Sequence, residues 1–226
     1  MRNAPYAIAV AALLAACSPQ SKPAETPKAQ TAVAPAAAQA PSDAPAGEYT
    51  MDLAHTSVNF RLSHMGLSHY TARFTKVDGK LAFDPANPAA QSVTATIDAN
   101  SLQTNYPDAA KLDFDAQIEK EFLETAKFPQ ITFKSTKVEP TGPRAARVTG
   151  DLTLHGVTKP VTLEATFNGG FPAGGMDPSG ARIGFSAKGT FKRSDFGIAF
   201  GIPAPGTTVG VGDEVEVTIE SEFTKK

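Results

Sequence analysis

Four histidines have the widest chemical range in this chain. His55, His64 and His69 fall close together in DLAHTSVNFRLSHMGLSHY, and His155 stands alone in LHGV. Neighbouring imidazoles can hold a transition metal. This spacing matches no familiar ligand pattern, and no carboxylate-rich motif follows it. On a strand, His55 and His64 lie at opposite ends, too far apart to share an ion. The expectation is no metal, with strand-end or turn histidines making hydrogen bonds. His155-Gly156 reads as a hairpin turn. Nucleophilic catalysis has less support. There is no G-x-S-x-G elbow. Asp113 and Asp115 read as capping or solvated charge in a helical segment. No Gly-rich loop opens a helix to cradle phosphate. In FKRSDFG, Arg193 and Asp195 lie together at a strand end, flanked by Phe191 and Phe196. They suit either an ion pair steadying a turn or a polar group at a pocket mouth.

The one cysteine, Cys17, has no partner in the chain for a disulfide. It follows a thin positive region at Arg2 and an apolar run, Tyr6 to Ala16, too short to cross a bilayer. This is the pattern of a secretory signal peptide. Its end, LAAC, resembles the bacterial lipobox, which implies cleavage after residue 16 and lipid attachment at Cys17. Ser18 resembles the outer-membrane sorting pattern. The expected location is therefore the periplasm-facing cell envelope, anchored in the outer rather than the inner membrane. Residues 17–48 are dominated by Ala, Pro, Gln, Ser and Lys and bury almost nothing, so they read as a disordered tether. Fully stretched at roughly 3.1 Å per residue, that tether reaches on the order of 90 Å.

Residues 49–226 must position whatever chemistry there is. Net charge is −2, and no basic stripe suggests nucleic acid. Segment after segment alternates. SVNFRLS sets Val58, Phe60 and Leu62 against Asn59, Arg61 and Ser63, and DEVEVTIESEF sets Val215, Val217, Ile219 and Phe223 against Glu214, Glu216, Glu220 and Glu222. SVTATID, QITFKSTKV, RVTGDLTL, PVTLEATF and RIGFSAKGTFK behave alike. Each is a strand with one apolar face. ARFTKVDGKLAFD reads as two strands around an Asp78-Gly79 hairpin. Residues 108–129 are rich in helix formers and suit one or two short amphipathic helices. Residues 168–181 and GIPAPGTTVGVGD read as Gly/Pro loops. Eight or so antiparallel strands with little helix must cover themselves, as a barrel or a sandwich. Periodicity does not choose between these, nor between a filled interior and a pocket.

The order of several motifs resembles the YceI-like family. They are Asp52-x-x-His55-Thr56, Val58-x-Phe60-x-x-x-His64, Asp78-Gly79, Phe83-Asp84, Ser101-Leu102-x-Thr104 and Phe128-Pro129-x-Ile131-x-Phe133-x-Ser135. Gly150-Asp151-Leu152-Thr153-Leu154-x-Gly156-Val157-Thr158-Lys159-Pro160-Val161 and Arg193-Ser194-Asp195-Phe196-Gly197 complete the set. The resemblance implies an all-β, extended lipocalin-like eight-stranded antiparallel barrel with one or two short helices. It also implies a non-enzymatic protein that binds a polyisoprenoid or similar lipid, such as a quinone or polyprenyl carrier, in an apolar tunnel. No cofactor is expected beyond that ligand. The expected partners are the lipid and, through the anchor, a membrane; a homodimer is left open. The lining expected is Phe60, Phe74, Phe83, Phe133, Leu152, Leu154, Phe167, Phe185 and Phe191, with His55, His64, Arg193 and Asp195 at the tunnel ends. Two alternatives stand beside this reading. One is a structural or adaptor domain with a packed barrel. The other is an enzyme acting on isoprenoid or quinone lipid, with His55 or His64 as acid–base groups.

Overall fold

The computed structural model describes residues 43–174 and 177–226. The expected signal peptide, Cys17 and nearly all of the tether lie outside the described residues. The strands are β1 (Gly47–His64), β2 (Ser68–Phe74), β3 (Val77–Phe83), β4 (Ser92–Asp98) and the two-residue β5 (Leu102–Gln103). After helix α1 (Phe114–Glu121) come β6 (Gln130–Gly142), β7 (Ala145–Leu154), β8 (Val157–Phe171), β9 (Ala181–Lys192) and β10 (Val211–Lys225).

Every pairing is antiparallel, and β10 returns to β1 through Val58↔Ile219, Phe60↔Val217 and Leu62↔Val215. That closing ladder makes the sheet a barrel, with an edge left at the two-residue β5, which pairs with β2. Two of its staves are broken strands. β2 pairs with the second half of β1 and β3 with the first half, so together they run the length of one neighbour. At the break, Ser101 ties down the chain: its carbonyl accepts from Thr75 N (3.0 Å) and its hydroxyl from Lys76 N (3.1 Å). β4 and β5 divide in the same way around the turn Ala99–Ser101. Counted by staves, the barrel has eight strands.

Asp78-Gly79 is not a hairpin. Both residues lie inside β3, opposite Thr96 and Ala95 of β4. An Asp-Gly pair reverses the chain only if its flanks pair with each other, and here both flanks pair with β1. The glycine is needed for space: a Cβ there would come within 2.8 Å of Met51 Cε and 2.7 Å of the Thr94 carbonyl. The real β1–β2 turn uses Met65 and Gly66, both at positive φ (57° and 69°). His155-Gly156 does form the expected β7–β8 turn, with φ of 52° and 73°. The expected loop at residues 168–181 is shorter than its composition suggests. β8 continues through Phe171, across a register shift after Phe167.

The helical region yields one α-helix of eight residues. Asp113 caps it by accepting from Ala116 N at 3.0 Å. Asp115 fixes it to the residue that follows β5, accepting from Thr104 N at 2.9 Å and from the Thr104 hydroxyl. Asp113 is thus the cap its position suggests, whereas Asp115, expected as capping or solvated charge, is tied to Thr104 instead. Packing begins slightly before Tyr49: Ala44 is buried, and the Tyr49 hydroxyl donates to the Pro45 carbonyl (2.7 Å).

Candidate functional site

The inward face of each strand is built from the alternating apolar set, and its side chains vary sharply in size. At the end where β1 begins, Tyr49, Phe83, Phe167, Phe185 and Phe223 pack edge to face or tilted, with centroids 5.2–6.5 Å apart. Toward the other end, Phe60 stacks on Phe74 (5.5 Å) and Phe191 meets Phe196 edge-on (5.4 Å). Between these clusters the wall is often small: Ala95, Ala165 and Ala187 line it, and Gly150 and Gly189 stand in the same inward rows. Gly150 is a floor for Phe133, whose Cζ would lie 2.4 Å from any added Cβ. Large rings at the ends and small residues between leave the middle hollow.

The hollow is a continuous cavity of about 790 Å³, lined almost wholly by apolar side chains. It reaches the surface at both ends of the barrel. One mouth lies among Pro85, Pro88, Ser92, Pro140 and Arg144, the other among His64, Tyr70, Tyr106, Phe114 and Val211. Among the described residues, no Asp, Glu or Lys faces it.

All nine expected apolar residues line the cavity: Phe60, Phe74, Phe83, Phe133, Leu152, Leu154, Phe167, Phe185 and Phe191. Eight of them also belong to the packed clusters, Phe74, Phe83 and Leu154 as buried members and Phe60, Leu152, Phe167, Phe185 and Phe191 as partly buried ones. His64 and Arg193 line it as well. His55 and Asp195 do not. His55 is exposed outside the barrel, 2.8 Å from the Asp52 carboxylate. It sits nine residues before His64, inside the register irregularity of β1 between Asp52 and Ser57. Asp195 also points away, 3.7 Å from Lys159, and makes no pair with Arg193.

Arg193 is 4% exposed and bonds backbone instead. Its Nε donates to the Gly212 carbonyl (2.8 Å), Nη1 to Ile198 (3.0 Å) and Nη2 to Val211 (2.8 Å). Burial pulls its pKa down, with the nearby Asp213 charge opposing. Arg144 does similar work at the other mouth, donating to the Phe167 and Asn168 carbonyls. Tyr70, Tyr106 and Phe114 were not among the expected residues. Two of them come from the irregular stretch around α1, where no alternation reports a facing direction. They meet as a ring group, Phe114 lying 5.8 Å from Tyr70 and 5.6 Å from Tyr106.

A polar cluster lies outside the barrel wall. Asp52, His55 and Glu222 come close enough to suggest a cation site. Arg182 already fills that role: it donates to Asp52 (2.6 Å), Asp177 (2.7 Å) and Glu222. The bonds from His55 and then Arg182 hold the Asp52 carboxyl below its usual range. Those from Ser179 and then Arg182 hold Asp177 at about 2. His155, in its turn, contacts the Phe196 carbonyl (3.1 Å) and Glu124 (2.8 Å), tying together three distant segments.

Residues 49–223 match the model of the YceI-like domain. The chain belongs to the YceI-like family. It is 44% identical over 181 residues to Protein YceI of Salmonella arizonae, covering 78% of this chain and 86% of that one. A UPF0312 protein of Vibrio cholerae is 41% identical over 161 residues, covering 70% of this chain and 81% of its own. Among solved structures, Burkholderia cenocepacia BcnA superposes with a TM-score of 0.62 at 26% identity, over 76% of this chain and 98% of that one. A polyisoprenoid binding domain from Saccharophagus degradans gives a TM-score of 0.57 at 15% identity, over 80% of this chain and all of its own, which is a likeness of fold. The family's barrel is thus the frame in which this chain sets its cavity.

Proposed function

We propose that this protein binds a long amphipathic lipid of the polyisoprenoid class, such as a quinone or a polyprenyl carrier, lengthwise in the barrel, and holds or hands it over at the cell envelope. The observation that carries this reading is the continuous apolar cavity of about 790 Å³. Each methylene moved from water into such a space contributes about 0.8 kcal/mol. A prenyl chain therefore has a large driving force even after its ordering cost. Phenylalanine suits the wall because it offers broad surface without polar atoms that need partners. The fold shared with the Saccharophagus degradans polyisoprenoid binding domain agrees with this choice of ligand.

The role is binding rather than catalysis. Among the described residues, His64 is the one histidine that lines the cavity, and no carboxylate lines it to orient an imidazole. A packed adaptor barrel fits less well, because its interior would be full. The envelope location and the lipid anchor at Cys17 rest on the sequence of the leader alone.

Organic extraction of the purified protein, followed by mass analysis, tests the reading directly. The expected result is a co-purified prenyl lipid, or saturable uptake when one is offered in detergent. A protein that carries none and takes up none is not a lipid binder.

A further inference from the structure

The barrel end that holds His64 carries an apolar rim. Leu67 is 88% exposed, Phe200 76% and Val209 65%, with Met65 beside them at 37%. Two separate segments supply these residues; one hydrogen bond joins them and a second closes the longer segment on itself. Met65 N donates to the Gly210 carbonyl and Val211 N to Gly201, both at 2.7 Å. Gly66 lies against the Thr208 side chain, where a Cβ would come within 2.6 Å. Phe200 packs edge-on against Phe122 at 5.4 Å, and Phe122 lines the cavity, as do His64 and Val211. The rim is therefore continuous with the cavity wall. It is also free of formal charge along residues 196–212.

Large hydrophobic residues on projecting turns are costly in water and need a reason. We infer that this rim is a membrane-docking surface: Leu67, Phe200 and Val209 enter the headgroup–acyl boundary of a bilayer and open the His64 mouth directly onto the lipid. This rests on the lipid-binding reading above, because it explains how a water-insoluble ligand reaches the cavity without crossing water. A bilayer suits the surface better than a protein does. The apolar side chains stand on convex turns around an opening rather than lining a groove, and no charged group among residues 196–212 would fix a partner's orientation. The segment preceding Gly47 joins the barrel at the opposite end, so nothing described there covers the rim.

The absence of Trp from the sequence allows a local probe in the full chain. Phe200→Trp places a single indole on the rim, and Ala90→Trp places one near the opposite mouth. With phosphatidylcholine vesicles containing brominated lipid, the rim indole should shift to shorter wavelength and lose emission, while the Ala90→Trp protein stays unchanged. The rim signal should persist at high salt, because the attraction is apolar. In parallel, Leu67→Asp combined with Phe200→Asp should slow transfer of a fluorescent prenyl lipid out of vesicles on the order of tenfold or more. Binding of the same lipid from detergent should be unchanged. No spectral response at position 200, or undiminished transfer by the double variant, overturns the docking surface even where detergent uptake persists. Absence of uptake in detergent as well would instead overturn the lipid-binding reading.

Discussion

Two arginines each gather a local cluster, and Arg193 does not make the pair with Asp195 that its place in the sequence suits. Arg193 is buried against three carbonyls of the segment leading into β10. Replacing it with Met leaves those acceptors unsatisfied. Arg193→Met should cost about 3 kcal/mol or more in urea unfolding, and should raise amide exchange in residues 198–212 first. Arg182 gathers Asp52, Asp177 and Glu222 on the outer wall. Asp52 and Asp177 have carboxyl pKa values that are lower in the folded protein than in the unfolded chain, Asp177 reaching about 2. Their ionised forms therefore stabilise the fold above the ordinary carboxylate range, and this contribution fades as pH falls from about 4 to about 2. Arg182→Met should melt below the native protein at pH 7, and the gap should close toward pH 2. A gap that is constant over that range would show that the carboxylates are not the source.

At the scale of elements, the inward-facing small residues matter as much as the phenylalanines. Gly150 in β7 lets the Phe133 ring of β6 lie across it, and a Cβ there would also press on the Lys134 carbonyl at 2.7 Å. Gly150→Ala must displace the ring or the backbone and should cost about 1–3 kcal/mol. Thermal melting reads the loss. If the ring moves inward, the affinity for a prenyl lipid falls with it, which a titration of the same variant would reveal.

For the whole molecule, closure and hollowness are separate properties, and each has its own test. Closure depends on the β1–β10 ladder, in which Thr218 sits opposite Asn59 on one side and Lys188 on the other. Thr218→Pro removes a backbone donor from the middle of that ladder. It should destabilise the barrel by about 3 kcal/mol or more and abolish lipid uptake with it. Hollowness depends on residues such as Ala187. Ala187→Phe fills open space rather than an occupied core, so it should hold or raise the melting temperature while weakening lipid uptake at least roughly tenfold. Uptake that is unaffected by the added ring would place the lipid elsewhere.

The alternation in the sequence determined which side of each strand is dry. Val215, Val217, Ile219 and Phe223 all line the cavity, while the glutamates between them face out. It also located nine of the apolar lining residues, because a strand side chain's direction is a local property of the backbone. Only the tertiary structure decided that the dry faces enclose a void, that Asp78-Gly79 continues a strand, that His55 lies outside, and that Arg193 serves backbone carbonyls rather than Asp195. Each of these depends on partners far away in the chain. Whether an interior is filled is set by the summed side-chain volume of eight staves against the width that closure imposes, and no single segment carries that sum.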